Sequence, residues 1–298
     1  MKRTLLSASI VLACAFGVSQ PTFAQTGTEA SRQVASIGVP NPAVHVRESI
    51  DRLRANDLLG LVQTLMPPAQ FKMLQGAYEI GRQEQPTDEH RERFAEAVAR
   101  YAAPDAVEVL MAEIEPKLIE ARPKAEGAIL MGIGAMQMAV ASPESDLTDD
   151  QRAALRMAIP GIERWAKSTD FLDSNSMRNA LTLITDAARS TGIYAIEDVQ
   201  RLTLEQALGQ ASSVLAATKQ ALRIYGLDLD EIADSVYVEV LDVDGHTAKV
   251  RTTVTVFNAP ITKEMELTLV EGRWYGKEAV LNFDFDHDDD HHHYQFDS

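Results

Sequence analysis

The sequence predicts an α+β protein: a large helical region followed by a four-stranded antiparallel β-meander. Three observations predict it. Apolar residues recur at intervals of three and four from Val44 to about Ala233. The period changes to strict alternation at Ser235. Turn signals at Asp244-Gly245 and Glu271-Gly272 then divide the alternating part into short segments.

The first segment is a leader. Lys2 and Arg3 precede an uncharged run from Thr4 to Val18, Pro21 breaks it, and Thr22-Phe23-Ala24 supplies small side chains at the −3 and −1 positions of a signal-peptidase site. The apolar run is shorter than the roughly 20 residues that span a bilayer. Residues 1–24 therefore read as a signal peptide cleaved after Ala24, and the expected compartment is the periplasm. Val11-Leu12-Ala13-Cys14 offers a looser alternative, a lipoprotein site at Cys14. Cys14 is the only cysteine. The mature chain is thus expected to be free of disulfides, thiolate nucleophiles and cysteine metal clusters. Removing Lys2 and Arg3 lowers the formal net charge by two, from −16 to −18. Such a surface repels nucleic acid and anionic headgroups, so neither is an expected partner.

Residues 25–42 are polar, contain Pro40 and Pro42, and read as a linker. In the helical region, 43–233, prolines 67, 68, 86, 104, 116, 123, 143 and 160 punctuate helix starts and stops. Thr148 with Gln151 is a capping box opening a helix through Met157, and Thr203 with Gln206 opens one running toward Tyr225. Ala125 to Ser142 has no polar side chain from Ala128 to Met136 and reads as a buried central helix whose methionines fill gaps. The alternative for this segment is a surface that meets a membrane component, although membrane association is not the expected mode.

In the meander, 234–283, Val236, Val238 and Val240 share one face of the first strand. Ala248, Val250, Val254 and Val256 share one face of the second, with Lys249 and Arg251 opposite. Met265, Leu267 and Leu269 point inward from the third. With residues 258–261 as the middle loop, Val254 pairs with Met265, Val250 with Leu269, and Arg251 lies diagonal to Glu266. Trp274 and Tyr275 open the last strand, which runs toward Val280. One apolar face implies a cover, which the helices supply. The hairpin at Asp244-Gly245 and the closing Val270-Glu271-Gly272-Arg273-Trp274-Tyr275 resemble the C-terminal sheet of the NTF2-like, cystatin-like family. The resemblance covers about 50 residues. It implies a sheet curved around a pocket and fixes no activity.

The last segment, 284–298, is an Asp/His-rich tail that reads as disordered. It holds four of the seven histidines. His287, His291, His292 and His293, with Asp288 and Asp290, form a donor set suited to Zn, Cu or Ni, because neutral imidazole is a borderline ligand and the carboxylates add charge. A solubilising acidic tail is the competing reading.

No catalytic arrangement is legible: there is no zinc-protease helix, no G-x-S-x-G elbow and no phosphate loop, and Gly132 and Gly134 follow no strand. His45 and His246 stand alone, and His90 sits in the first turn of a helix. Trp165, Phe171, Trp274 and Tyr275 read as core or pocket wall. Asp228, Asp230, Glu231 and Asp234 read as a solvated cap. The expectation is a non-enzymatic binding or envelope-accessory protein with a tail able to hold divalent metal. The alternatives are a periplasmic enzyme with a pocket between helices and sheet, and an interaction protein using the 125–142 helix.

Overall fold

The computed structural model describes residues 39–281, which lie in a single unit. The leader, most of the linker and the tail with its six candidate metal ligands lie outside the described residues.

The chain runs α1 (Pro42–Arg54), α2 (Leu58–Leu65), α3 (Pro68–Gly81), α4 (Asp88–Tyr101), α5 (Ala106–Ala121), α6 (Ala125–Ala141), α7 (Asp149–Ser168), α8 (Ser174–Ser190), α9 (Ile196–Arg201), α10 (Leu204–Ile224) and α11 (Leu229–Asp234). It then forms β1 (Tyr237–Asp244), β2 (Thr247–Val256), β3 (Ala259–Val270) and β4 (Arg273–Gly276), and α12 (Lys277–Leu281) follows. The fold is α+β, with one sheet in the order β1-β2-β3-β4, antiparallel throughout. Val280, expected near a last strand, falls in α12 instead.

Short polar side chains start the helices. Asn41 accepts a hydrogen bond from the Ala43 N–H, with Pro42 at the first helical position. Both predicted capping boxes form, since Thr148 with Gln151 and Thr203 with Gln206 satisfy each other's backbone N–H groups. Two prolines break the expected pattern. Pro116 lies within α5, and Pro160 lies within α7, which continues past Met157 to Ser168. Each costs one backbone hydrogen bond, which tertiary packing outweighs.

The sheet's apolar face is covered by α1. Ala43 packs with Val238, Ala248, Val250, Leu267 and Trp274, and Val46 joins from the next turn. Trp274 is 0 % exposed, and its Nε1–H donates to the Pro40 carbonyl at 2.6 Å. Tyr275 is also buried. On the other face Arg251 stands between its register partners Glu239 and Glu264, at 3.1 and 2.7 Å. A bulge between Val240 and Asp242 shifts the phase of β1, which lets Val243 turn toward the same core as Val240.

The β2–β3 register differs from the expected one. Val250 pairs with Met265, Val254 with Ile261, and Arg251 with Glu264 directly. The loop is only Phe257-Asn258, both at positive φ, 51° and 63°. That is the backbone of a primed two-residue turn without a glycine in it, so the usual signal is missing. The pairing slips by four residues, an even number, and the inward and outward faces survive unchanged.

Among the helices, α8 lies against α10 and α5, and α10 also meets α2. Lys219 on α10 is 3 % exposed, and its ammonium donates to the Leu53 and Arg54 carbonyls at the end of α1 and to Asp230 at 2.6 Å. It gives a donor to the Arg54 carbonyl at the helix end and a second one to the Leu53 carbonyl, which also accepts from the Asn56 N–H at 3.1 Å.

The buried-helix reading of 125–142 is corrected. Ile133 and Val140 are buried and pack with Ile159, whereas Met131 is 77 % and Met138 69 % exposed. The extended packing of α6 is against α7, so one stripe is covered and the opposite side faces outward. Arg152 ties the connecting loop by donating to the carbonyls of Ser142, Ser145 and Leu147. No helix among the described residues is long and apolar enough to cross a membrane.

Candidate functional site

A cleft of about 610 Å³ lies where the end of α7, the start of α8, the end of α10 and the β2–β3 turn converge. Its wall is aromatic. Trp165 lies 5.0 Å from Phe257 and 5.1 Å from Phe171, centroid to centroid, and Phe171 stacks on Tyr225 at 6.0 Å.

Local structure holds each ring in place. Helix α10 ends in a Schellman arrangement, with Gly226 N–H to the Arg223 carbonyl at 3.0 Å and Leu227 N–H to the Leu222 carbonyl at 3.1 Å. Gly226 takes the left-handed conformation this requires, φ 76°. The Tyr225 carbonyl so exposed accepts from the Trp165 indole at 2.6 Å and from the Thr169 hydroxyl at 3.4 Å. Phe257 reaches the cleft because α7 carries glycine at 161, where a Cβ would fall 1.9 Å from the Phe257 carbonyl oxygen. Helix α7 and the hairpin tip are therefore in backbone contact.

The acids at the rim are engaged. Asp170 accepts from the Leu172 N–H at 3.0 Å and pairs with Arg122 at 3.2 Å. Asp173 caps α8 by accepting from the Ser176 N–H at 2.7 Å. That bond, with the Ser176 hydroxyl, holds its carboxyl below the usual carboxylate range. Burial, with the nearby Asp173, pushes the Tyr225 phenol up. Tyr225 is thus neutral at pH 7, and its hydroxyl lies 3.8 Å from the Met177 sulfur.

The other residues singled out in the sequence lie apart from this cleft. His45 is half-buried on α1, in edge contact with Tyr275 at 5.4 Å, and its Nε2 lies 3.1 Å from the Thr64 carbonyl. Burial and the Arg273 charge lower its pKa, so the ring is neutral and that nitrogen is a donor. His90 follows the Thr87 cap of α4, and His246 sits in the β1–β2 turn. Asp228 caps α11 and pairs with Arg223, which lowers its pKa to about 2. Asp230 is more than a solvated cap, because it is the partner of buried Lys219. The six tail ligands lie outside the described residues. Within the described residues no group of three metal-binding side chains assembles.

Trp165 lines the cleft, where a pocket wall was one expectation, Phe171 packs against Trp165 and Tyr225 without lining it, and Trp274 and Tyr275 are core. Tyr225, Phe257 and Gly161 complete the site and were missed. The only sequence signal was the pair Pro160-Gly161 inside a helix, an invitation to close approach. Comparison with protein-family models, with curated protein sequences and with solved structures finds no match.

Proposed function

We propose that this is an exported, non-enzymatic binding protein of the cell envelope whose aromatic cleft holds a small molecule with a planar apolar body. The observation that carries the reading is the wall of Trp165, Tyr225 and Phe257 around one cleft, with Phe171 packed against Trp165 and Tyr225 to brace it. Two further points support it. The carboxylates at the rim serve as a cap and an ion-pair partner, which leaves them poorly placed for proton transfer. The leader supports a periplasmic address. The likeness of residues 235–282 to the NTF2-like sheet belongs to the same proposal, with one difference in emphasis. The face that such a sheet would curve around a pocket is filled by α1 and Trp274, and the cleft sits at the hairpin tip.

The test is nuclear magnetic resonance of the two indole N–H groups, titrated with 1-naphthamide. The chain has two tryptophans. Trp165 lines the cleft and Trp274 is fully buried elsewhere, so ligand in the cleft shifts the first resonance and leaves the second still. If neither moves at millimolar ligand, the reading fails.

A second reading is favoured by one observation, the outward apolar side of α6 with Leu130, Met131 and Met138. It has the helix resting on neutral lipid, and co-sedimentation with phosphatidylcholine vesicles, abolished in Met131→Glu, tests it. Divalent metal at His287, His291, His292, His293, Asp288 and Asp290 remains a further proposal, resting on the donor chemistry of the tail.

A further inference from the structure

The hydrogen-bonding groups that line the cleft divide into two sets. One set is spent on the fold. Asp170 and Asp173 hold backbone N–H groups, and Asp170 also holds Arg122. The Tyr225 carbonyl holds Trp165 and Thr169, and the Ser168 hydroxyl donates to the Trp165 carbonyl at 3.1 Å. The other set is unspent. Arg164 and Asn258 both line the cleft, and among the described residues neither side chain meets a protein partner. Most arginines of this acidic chain are in ion pairs, such as Arg122, Arg223 and Arg251. Arg164 is not, although it is one helical position from Trp165 and Glu163 is close by, paired instead with Lys167 at 2.6 Å. The spent set holds both carboxylates and the Tyr225 carbonyl, and the unspent set holds a guanidinium and a carboxamide. A guanidinium presents a planar fork suited to a carboxylate, and a carboxamide adds a neutral donor.

We infer that the cleft selects planar aromatic carboxylates, with the ring against Trp165 and Phe257 and the carboxylate on Arg164 and Asn258. The inference rests on the proposed binding role of the cleft and adds the charge of its ligand. A cation would meet two carboxylates already engaged and an arginine without a counter-charge. A neutral arene would gain the rings and leave the donors to water. An anion uses both halves of the wall and gains the most from the guanidinium.

Calorimetry and the indole resonance of Trp165 test this on the full chain with three probes of equal ring: 1-naphthoate, 1-naphthamide and 1-naphthylmethylammonium. One charge-assisted bond in place of a neutral one favours naphthoate over naphthamide by about tenfold. Arg164 is exposed, so Arg164→Gln leaves the fold intact, and it weakens naphthoate by more than naphthamide, so that most of the preference between them is lost. Asn258→Gly keeps the positive φ of the turn and weakens naphthoate by a smaller factor than Arg164→Gln does. The inference is overturned if naphthamide or the ammonium binds as tightly as naphthoate, or if the preference persists in Arg164→Gln. In those outcomes the Trp165 shift still occurs and the cleft reading stands. If no probe shifts Trp165, the cleft reading itself falls and takes the ligand class with it.

Discussion

Replacing Gly161 by alanine separates two effects of opposite sign. In a helix interior alanine is favoured over glycine by about 1 kcal/mol. At Gly161 the new Cβ would lie 1.9 Å from the Phe257 carbonyl oxygen, 2.6 Å from its Cβ and 2.8 Å from its carbonyl carbon. Two of these are backbone atoms of a two-residue turn, with no flexible end to swing aside. Restoring ordinary contact requires roughly 1.5 Å of retreat by the hairpin tip, which parts Phe257 from Trp165. Overpacking of this kind costs about 1–3 kcal/mol. The clash offsets or outweighs the propensity gain, and the expected net change is a loss of about 0–2 kcal/mol, or at most about 8 °C in Tm for a chain of this size. Gly209→Ala is the control. Gly209 is exposed within α10 with nothing near its Cβ position, so propensity acts alone and stability rises by up to about 1 kcal/mol. Urea unfolding of both variants against the parent reads the difference, and Trp165 emission reports the cleft. Equal stabilisation by the two alanines would refute the contact between α7 and the hairpin.

Four further outcomes are expected. Lys219→Met leaves two helix-end carbonyls and Asp230 without their ammonium, and because Asp230 is partly exposed and keeps Arg223, the loss in urea unfolding is about 2–4 kcal/mol. Asp228 has a folded pKa of about 2 against an ordinary 3.8, so its contribution is present above pH 3.8 and disappears as pH falls toward 2; Asp228→Asn flattens that part of a stability-versus-pH curve. His45 is lowered by burial and by Arg273, with the Thr64 carbonyl and Glu48 opposing, so the unfolded chain takes up its proton first and stability declines as pH falls below 6.5; His45→Gln removes that slope in denaturant titrations between pH 5 and 7. Deleting residues 287–298 abolishes zinc, copper or nickel binding in calorimetry of protein purified without a nickel column, and retained binding would place the metal elsewhere.

The sheet was legible because its code has period two. Val238, Val250 and Leu267 lie on the covered face that alternation assigns them, and a four-residue error in pairing left that face intact. Register was not legible, because Phe257-Asn258 makes its turn at positive φ without glycine, and tertiary contact with Gly161 holds what local preference would not. The polar caps at Thr148 and Thr203 were legible because their partners lie three residues away. The cleft was half legible. Trp165 and Phe171 look like wall in any helical protein, but Tyr225 and Phe257 join them from 60 and 92 positions along the chain, a distance over which spacing carries no information. The exposed side of α6 misled for a physical reason. An all-round apolar helix implies burial only if neighbours exist on every side, and α6 has α7.

The indole of Trp274 reaches back to the carbonyl of Pro40, and Arg273 to Glu48 at 2.8 Å. The start of α1 is thereby sealed by β4, the last strand among the described residues. In a nascent chain α1 can meet α2 early, but its contact with the last strand waits until some 230 further residues have emerged, so the seam between α1 and the sheet closes late. Until then the side of α1 that carries Ala43 and Val46 has no sheet to cover it, and any holdase that meets the polypeptide finds it open.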